Sequence, residues 1–166
     1  MSVLRSTRRA DPSAARLVDP VGRRSCCKDE RWPAIAAALA ELREANRHSI
    51  RILDMDCGAG SLLLHAVRHA RALGFTAIEA RGVDGVPALI GRARASASHL
   101  ADPAIGVMFE TADLMTALAE EREFPADILI WHGHAAGMDH TAAVRAVAAA
   151  GNRIIADPPA SRGARA

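Results

Sequence analysis

The sequence predicts an α/β domain built on an open parallel sheet, and three observations carry that prediction. From Ile50 onward, short apolar runs alternate with amphipathic stretches, as they do when strands return through crossover helices. The runs are almost continuously apolar, as befits strands covered on both faces. The first of them ends in Asp54 and leads into Asp56-Cys57-Gly58-Ala59-Gly60. A glycine turn between strand and helix brings backbone close to a nucleotide-like ligand, because glycine has no Cβ to obstruct it or forbid positive φ.

The elements follow in order. Asp29 and Glu30 precede Trp32-Pro33, a helix opening with proline in the first turn. Ile35, Leu39 and Leu42 then recur at helical spacing, which predicts an amphipathic helix over 31–46. Strands are predicted at 50–55, 77–83, 105–110, 127–131 and 152–156, with helices over 61–73, 86–99, 113–121 and 138–149. Gly74 closes the first crossover helix and Gly151-Asn152 the last, as glycine commonly does at helix C-termini. His65, His69 and His99 fall in predicted helices and are expected on the surface.

With 166 residues, 50% of them hydrophobic, the chain has material for one domain with a real core. No apolar run reaches bilayer length, and the N-terminus lacks the apolar stretch of a secretory signal. Cys26, Cys27 and Cys57 make no disulfide framework, so a reducing, cytoplasmic setting is expected. Six arginines against two aspartates give residues 1–24 a charge of +4, leaving −2 for the rest of the chain. That segment has no aromatic residue to stack on bases and reads as a disordered basic tail over 1–28, with nucleic acid disfavoured as a partner. The segment 158–166 reads as a second tail, leaving 29–157 as the folded domain.

Open parallel sheets bind ligands at the carboxyl ends of their strands, near the point where strand order reverses. Four predicted strand ends are polar there. Asp54 precedes the glycine turn, where a carboxylate suits a cationic amino-acid moiety better than a polyphosphate. Gly82-Val83-Asp84 ends the second strand, with Asp84 placed to accept ribose hydroxyls. Thr111-Ala112-Asp113 follows the third, with a carboxylate suited to an adenine amine, and Trp131-His132-Gly133-His134 closes the fourth. With these residues in order, the chain resembles the class I S-adenosylmethionine-dependent methyltransferases. LDMDCGAG, Asp84, Ala112-Asp113 and the run from Phe124 to Trp131 opened by Asp127 match their four motifs.

The resemblance implies a three-layer, Rossmann-like sheet of about five strands in the order 3-2-1-4-5. It also implies S-adenosylmethionine as cofactor, held by Asp54, Asp56, Cys57, Gly58, Ala59, Gly60, Asp84, Gly85, Val86, Ala112, Asp113, Leu114 and Trp131, and methyl transfer to a small molecule. His132 and His134 fall where acceptor-side groups belong, as candidate catalytic bases. Trp131 is open to a place on adenine, in the acceptor wall or in the core. Cys57 is expected to be a small packing residue without an activating neighbour.

Two departures stand out. The family commonly has a small residue where this chain has Asp56; the extra carboxylate is open to attracting the cofactor's ammonium, to crowding the pocket, or to pointing outward and capping the next helix, which is the role slightly favoured. The family also continues past a fifth strand, whereas this chain stops near Asp157, so an exposed strand edge is expected, to be covered by a homodimer or by the N-terminal segment. A nicotinamide-dinucleotide fold fits less well, since Leu63 stands where its third glycine belongs. His132, His134, Asp139, His140 and Asp157 suggest a metal alternative but match no ligand spacing, and no metal is expected. Asp157-Pro158-Pro159 lacks the aromatic of base-methylating enzymes and reads as a strand exit. The alternative function is a non-catalytic cofactor-binding module that acts through a protein partner.

Overall fold

The computed structural model describes residues 28–133 and 139–157; His134, Cys26, Cys27 and both tails lie outside the described residues. In chain order the elements are α1 (Trp32–Glu44), β1 (Ser49–Met55), α2 (Ser61–Ala72), β2 (Ala77–Asp84), α3 (Pro87–Ala97), β3 (Ile105–Thr111), α4 (Leu114–Glu120), β4 (Ile128–Trp131), α5 (His140–Ala150) and β5 (Ile154–Ala156). The strands form one parallel sheet ordered β3-β2-β1-β4-β5. This is the doubly wound arrangement the alternation predicts, and strand order reverses at β1.

Strand periodicity divides the core into two layers. Ile50 and Ile52 of β1 face Ile35 and Leu39 of α1, Leu63 and Val67 of α2, and Ile90 of α3. Leu53 and Met55 face the opposite way, with Leu114 and Leu118 of α4 and Val147 of α5. Each strand therefore buries both faces, and its run of apolar residues follows from that. Among the described residues no helix is long and apolar enough to cross a membrane.

The helix ends show local chemistry at work. Gly74 has φ +95°, its N–H bonds the Arg71 carbonyl, and the Phe75 N–H bonds that of Ala70. These two bonds form a Schellman cap, which satisfies the last carbonyls of α2. Gly151 works differently: its backbone is extended, and a Cβ there would lie 2.5 Å from Leu129 Cβ. Close approach to β4, rather than a left-handed turn, requires glycine at that position. His65 and His69 do not stand free on the surface. Both are half-buried against Trp32, with ring centroids 4.0 and 5.3 Å away. His99 is exposed, as expected.

The edge opposite the ligand edge is held by charge. Asp127 accepts the Arg51 N–H and an Arg47 guanidinium N–H, each at 2.9 Å, fastening β1 beside β4. Glu121, 1% exposed, lies between Arg51 and Arg81. Burial works against the Arg81 cation, but Glu121, Glu120 and Glu110 outweigh it and raise its pKa. A shallow depression of about 410 Å³ at this edge is lined by Arg51, Glu79 and Asp127. Those groups already bond one another or their neighbours, so the depression is a by-product of the fastening.

The Phe109 ring of β3 is wedged over two glycines. A Cβ at Gly60 would sit 2.5 Å from Phe109 Cζ, and one at Gly82 would sit 2.5 Å from Phe109 Cδ1. The ring thus couples the turn after β1 to β2 and β3. Gly82→Ala is expected to destabilise the domain by about 2 kcal/mol through overpacking. In the Phe109→Ala background the cost should fall by at least half, because the ring atoms that would meet the added methyl are gone and the Cys57 Sγ contact at 3.0 Å is what remains. Urea denaturation of the two single variants and the double variant checks this coupling.

Candidate functional site

Three residues of the turn after β1 have positive φ: Asp56 (+60°), Gly58 (+57°) and Gly60 (+75°). The left-handed region explains why glycine suits position 56. Aspartate is among the few other residues that enter it, at a cost. The N-cap position of α2 is Gly60, which has no side chain, and Asp56, expected to point outward, is half-buried. The two turn glycines also differ in purpose. Gly60 makes room for Phe109, whereas a Cβ at Gly58 would meet nothing within 4 Å. Gly58 is therefore the open approach to backbone.

The neighbouring strand holds this turn. The Cys57 N–H bonds the Val83 carbonyl at 2.9 Å. Asp84 accepts the Gly58 N–H on one carboxylate oxygen and the Val86 N–H on the other, both at 2.8 Å. Asp84 thus shapes the turn as well as facing the edge, and each oxygen keeps a second lone pair for a hydroxyl. Next to it Val86, 48% exposed, offers an apolar surface at the start of α3; a Cβ at Gly85 would meet open space. Asp113 is exposed and caps α4 through the Thr116 N–H at 3.0 Å, while Leu114 beneath it is buried and Ala112 is half-buried. Ala59, like Cys57, is half-buried in the turn.

Asp54, at the end of β1, combines deep burial with an incomplete set of hydrogen bonds. It is 2% exposed, and its Oδ1 has no hydrogen-bond partner among the described residues. Burial pushes its pKa up to about 7, with Asp29, Asp56 and Asp84 adding to the rise and Arg31 opposing it. The counter-charge was not legible in the sequence. Arg31, just before α1, is 5% exposed. Its guanidinium grips both Asp29 oxygens at 3.0 and 2.9 Å, and its Nε lies 3.2 Å from Asp157 Oδ1. Its Nη1 is buried without a partner among the described residues. An unsatisfied buried cationic N–H and an unsatisfied buried carboxylate oxygen therefore share one region, and each is costly unless a ligand or water completes it.

Asp157 continues the chain of contacts. Its second oxygen lies 3.0 Å from His132 Nδ1. The residue read as a strand exit therefore joins His132 to Arg31. Of the other residues in the metal alternative, Asp139 caps α5 and His140 stacks on Trp131. Among the described residues no cluster of three or more such groups could hold a metal ion. Trp131 is 4% exposed within the core facing α4 and α5, with its Nε1 lacking a partner among the described residues. Burial, with Asp54 and Asp84 next in effect, raises the Cys57 pKa, so the thiol is a packing group and not a nucleophile.

No family model and no curated protein sequence matches the chain. Solved structures do. The plantazolicin methyltransferase BamL, solved with a desmethyl substrate analogue and S-adenosylhomocysteine, is 18% identical, with a TM-score of 0.51 over 76% of this chain and 43% of its own. Magnesium protoporphyrin IX methyltransferase from Synechocystis PCC 6803, with S-adenosylmethionine bound, is 20% identical, with a TM-score of 0.49 over 80% and 56%. A structure from echinomycin biosynthesis, where a disulfide becomes a thioacetal, is 30% identical, with a TM-score of 0.47 over 72% and 46%. The chain spans between about a fifth and just over half the length of the structures it resembles. Its fold is that of the class I S-adenosylmethionine-dependent methyltransferases.

Two consequences are measurable. Folded Asp54 keeps its proton where the unfolded chain has released one, so its contribution to stability is fully present below about pH 4. It is lost as pH rises through about 7, an effect on the order of 4 kcal/mol. Asp54→Asn should flatten this part of the stability–pH curve and raise stability at pH 8, as denaturant titrations at each pH would record. Asp56→Gly should stabilise by about 1 kcal/mol by relieving the left-handed conformation. It should also lower the Asp54 titration midpoint, followed by carboxyl 13C NMR.

Proposed function

We propose that the chain binds S-adenosylmethionine at the carboxyl edge of β1 and β2 and transfers its methyl group to a small molecule. The observation that carries this reading is the pair of buried, unsatisfied groups, Asp54 Oδ1 and Arg31 Nη1. They have opposite charge and lie beside a turn whose Gly58 faces open space. A zwitterionic α-amino acid has the complementary charges, its ammonium for Asp54 and its carboxylate for Arg31. Such a cofactor also needs ribose and adenine sites. Lone pairs on Asp84, the exposed Val86 face and the Asp113-Leu114 start of α4 supply suitable groups.

When bound, S-adenosylmethionine supplies a methyl group on a sulfonium centre, already activated for displacement. The protein's part is alignment and exclusion of water. Asp54 and Arg31 fix the amino-acid end, Asp84 the sugar, and the backbone around Gly58 permits close approach. The small-molecule acceptor is favoured by the absence of a basic groove or aromatic platform in the sequence of 29–157.

Isothermal titration calorimetry tests the reading. S-Adenosylmethionine and S-adenosylhomocysteine should bind with micromolar dissociation constants, and Asp54→Ala should weaken both at least thirtyfold. Because a cationic ammonium favours the ionised form of a carboxyl whose pKa is about 7, binding at pH 6 should release close to one proton and binding at pH 8.5 almost none. Buffers of different ionisation enthalpy resolve that difference. Absence of binding to both compounds at millimolar concentration overturns the proposal.

A further inference from the structure

Every strand of the sheet delivers an aspartate to its carboxyl edge. Asp54 lies at the end of β1 and Asp84 closes β2, while Asp113, Asp139 and Asp157 follow β3, β4 and β5. Asp29 joins them from the segment before α1, on the far side of Arg31. Among the described residues few cations answer these charges. Arg31 is 5% exposed and already held by Asp29 and Asp157, and Lys28 is matched by its near neighbour Glu30. Helices α2 to α5 start at this edge, but a helix end is worth only about half a positive charge, less than one aspartate. The amino edge is different: Asp127 meets Arg47, while Glu79, Glu110 and Glu121 meet Arg51 and Arg81. Negative charge is balanced at one edge of the sheet and left over at the other.

The excess reaches into the site itself. Asp54 is 2% exposed, and its Oδ1 lacks a partner among the described residues. Burial raises its pKa most, and Asp29, Asp56 and Asp84 add to the rise against Arg31. A buried oxygen with an unmet hydrogen bond, inside a group of carboxylates, calls for a cation. The ammonium of S-adenosylmethionine answers that oxygen, but the whole cofactor brings a single net positive charge. Asp139 then still faces solvent beside the end of β4, where the next residue, His140, stacks on Trp131. The edge therefore stays negative after the cofactor is in place.

We propose that this edge selects a methyl acceptor that carries a positive charge, a small amine compound held as its ammonium. The proposal rests on the methyl-transfer reading above and adds the acceptor's chemical class. A cleft lined by one sign of charge concentrates the opposite sign and speeds its arrival tenfold or more; it turns anions such as carboxylates and phosphates away. The selection acts on encounter, so it belongs to kcat/KM. In the transfer a lone pair on the acceptor takes the methyl group, the pair from the broken C–S bond returns to sulfur, and the acceptor's proton goes to water. The charge need not sit on the reacting atom, which lets a test hold that atom fixed.

Three thiols with the same two-carbon arm supply that test: thiocholine, 2-mercaptoethanol and 2-mercaptoethanesulfonate end in a fixed cation, a neutral hydroxyl and a fixed anion. The full chain is used, so that the arginines of residues 1–27 and 158–166 contribute their charge. At saturating S-adenosylmethionine, raising salt from about 20 to about 300 mM screens the field. It should lower kcat/KM for thiocholine at least fivefold, change that for 2-mercaptoethanol less than twofold and raise that for the sulfonate. Asp139→Asn removes one charge while asparagine still caps α5. It should lower kcat/KM for thiocholine about threefold and raise it for the sulfonate, with the dissociation constant for S-adenosylhomocysteine unchanged within twofold. Equal salt dependence for the three thiols, or a rise for thiocholine, overturns the proposal. So does cofactor binding with no transfer to any of them, which leaves the cofactor reading standing. Failure to bind S-adenosylhomocysteine overturns both, and calorimetry separates that outcome from the others.

Discussion

The burial of Arg31 is the constraint on which the ligand edge depends. A guanidinium this deep in a small domain is tolerable only if carboxylates surround it, and it gathers them from distant parts of the sequence: Asp29 beside it, Asp54 from the end of β1 and Asp157 after β5. Burial works against the charge, yet Asp29, Asp54 and Asp157 together raise the Arg31 pKa. The segment before α1 is thereby fixed over the same sheet edge that carries the glycine turn. Arg31 is also the charge that holds the Asp54 pKa down against the raising effects of burial and of Asp29, Asp56 and Asp84.

A second organising contact, the Phe109 ring, acts below the first. Because it fills the space over Gly60 and Gly82, the turn rests on an aromatic plate contributed by β3. Gly58 is then left as the point where backbone stays open. The two glycines of the motif thus divide the work, one serving packing and one serving access. The same economy applies to Asp84, whose oxygens hold the turn through Gly58 and start α3 through Val86. A side chain that shapes its own site is fixed before a ligand arrives, which reduces the ordering cost of binding.

Most of the architecture was legible in the residues. The five strands and the five helices from α1 to α5 follow from apolar runs and glycine stops, with boundaries that differ by only a few residues; the order 3-2-1-4-5 came from the resemblance to the methyltransferases and is the order observed. Where local pattern misled, the cause was tertiary. His65 and His69 read as surface residues because nothing nearby in sequence announces Trp32, which packs on them across α1 and α2. Gly151 reads as a helix stop, but its real constraint is Leu129 on the adjacent strand. Asp56 reads as an outward-pointing residue, but the turn half-buries it and holds it in the left-handed region.

The turn that opens the sequence reading keeps its place at the centre of the site. The sequence by itself determined the fold class, the strand that ends in Asp54, the glycines that let backbone come close, and the acidic residues at the next two strand ends. All of these are local, because strand and helix periods and glycine's missing Cβ act within a few residues. Only the tertiary structure decided that Asp54 is buried with an unpaired oxygen, that Arg31 is its counter-charge, and that Asp157 joins that arginine to His132. Those pairings span 23 to 126 residues of chain. They arise from the burial of charge, which compels partners to be found wherever the fold happens to bring them.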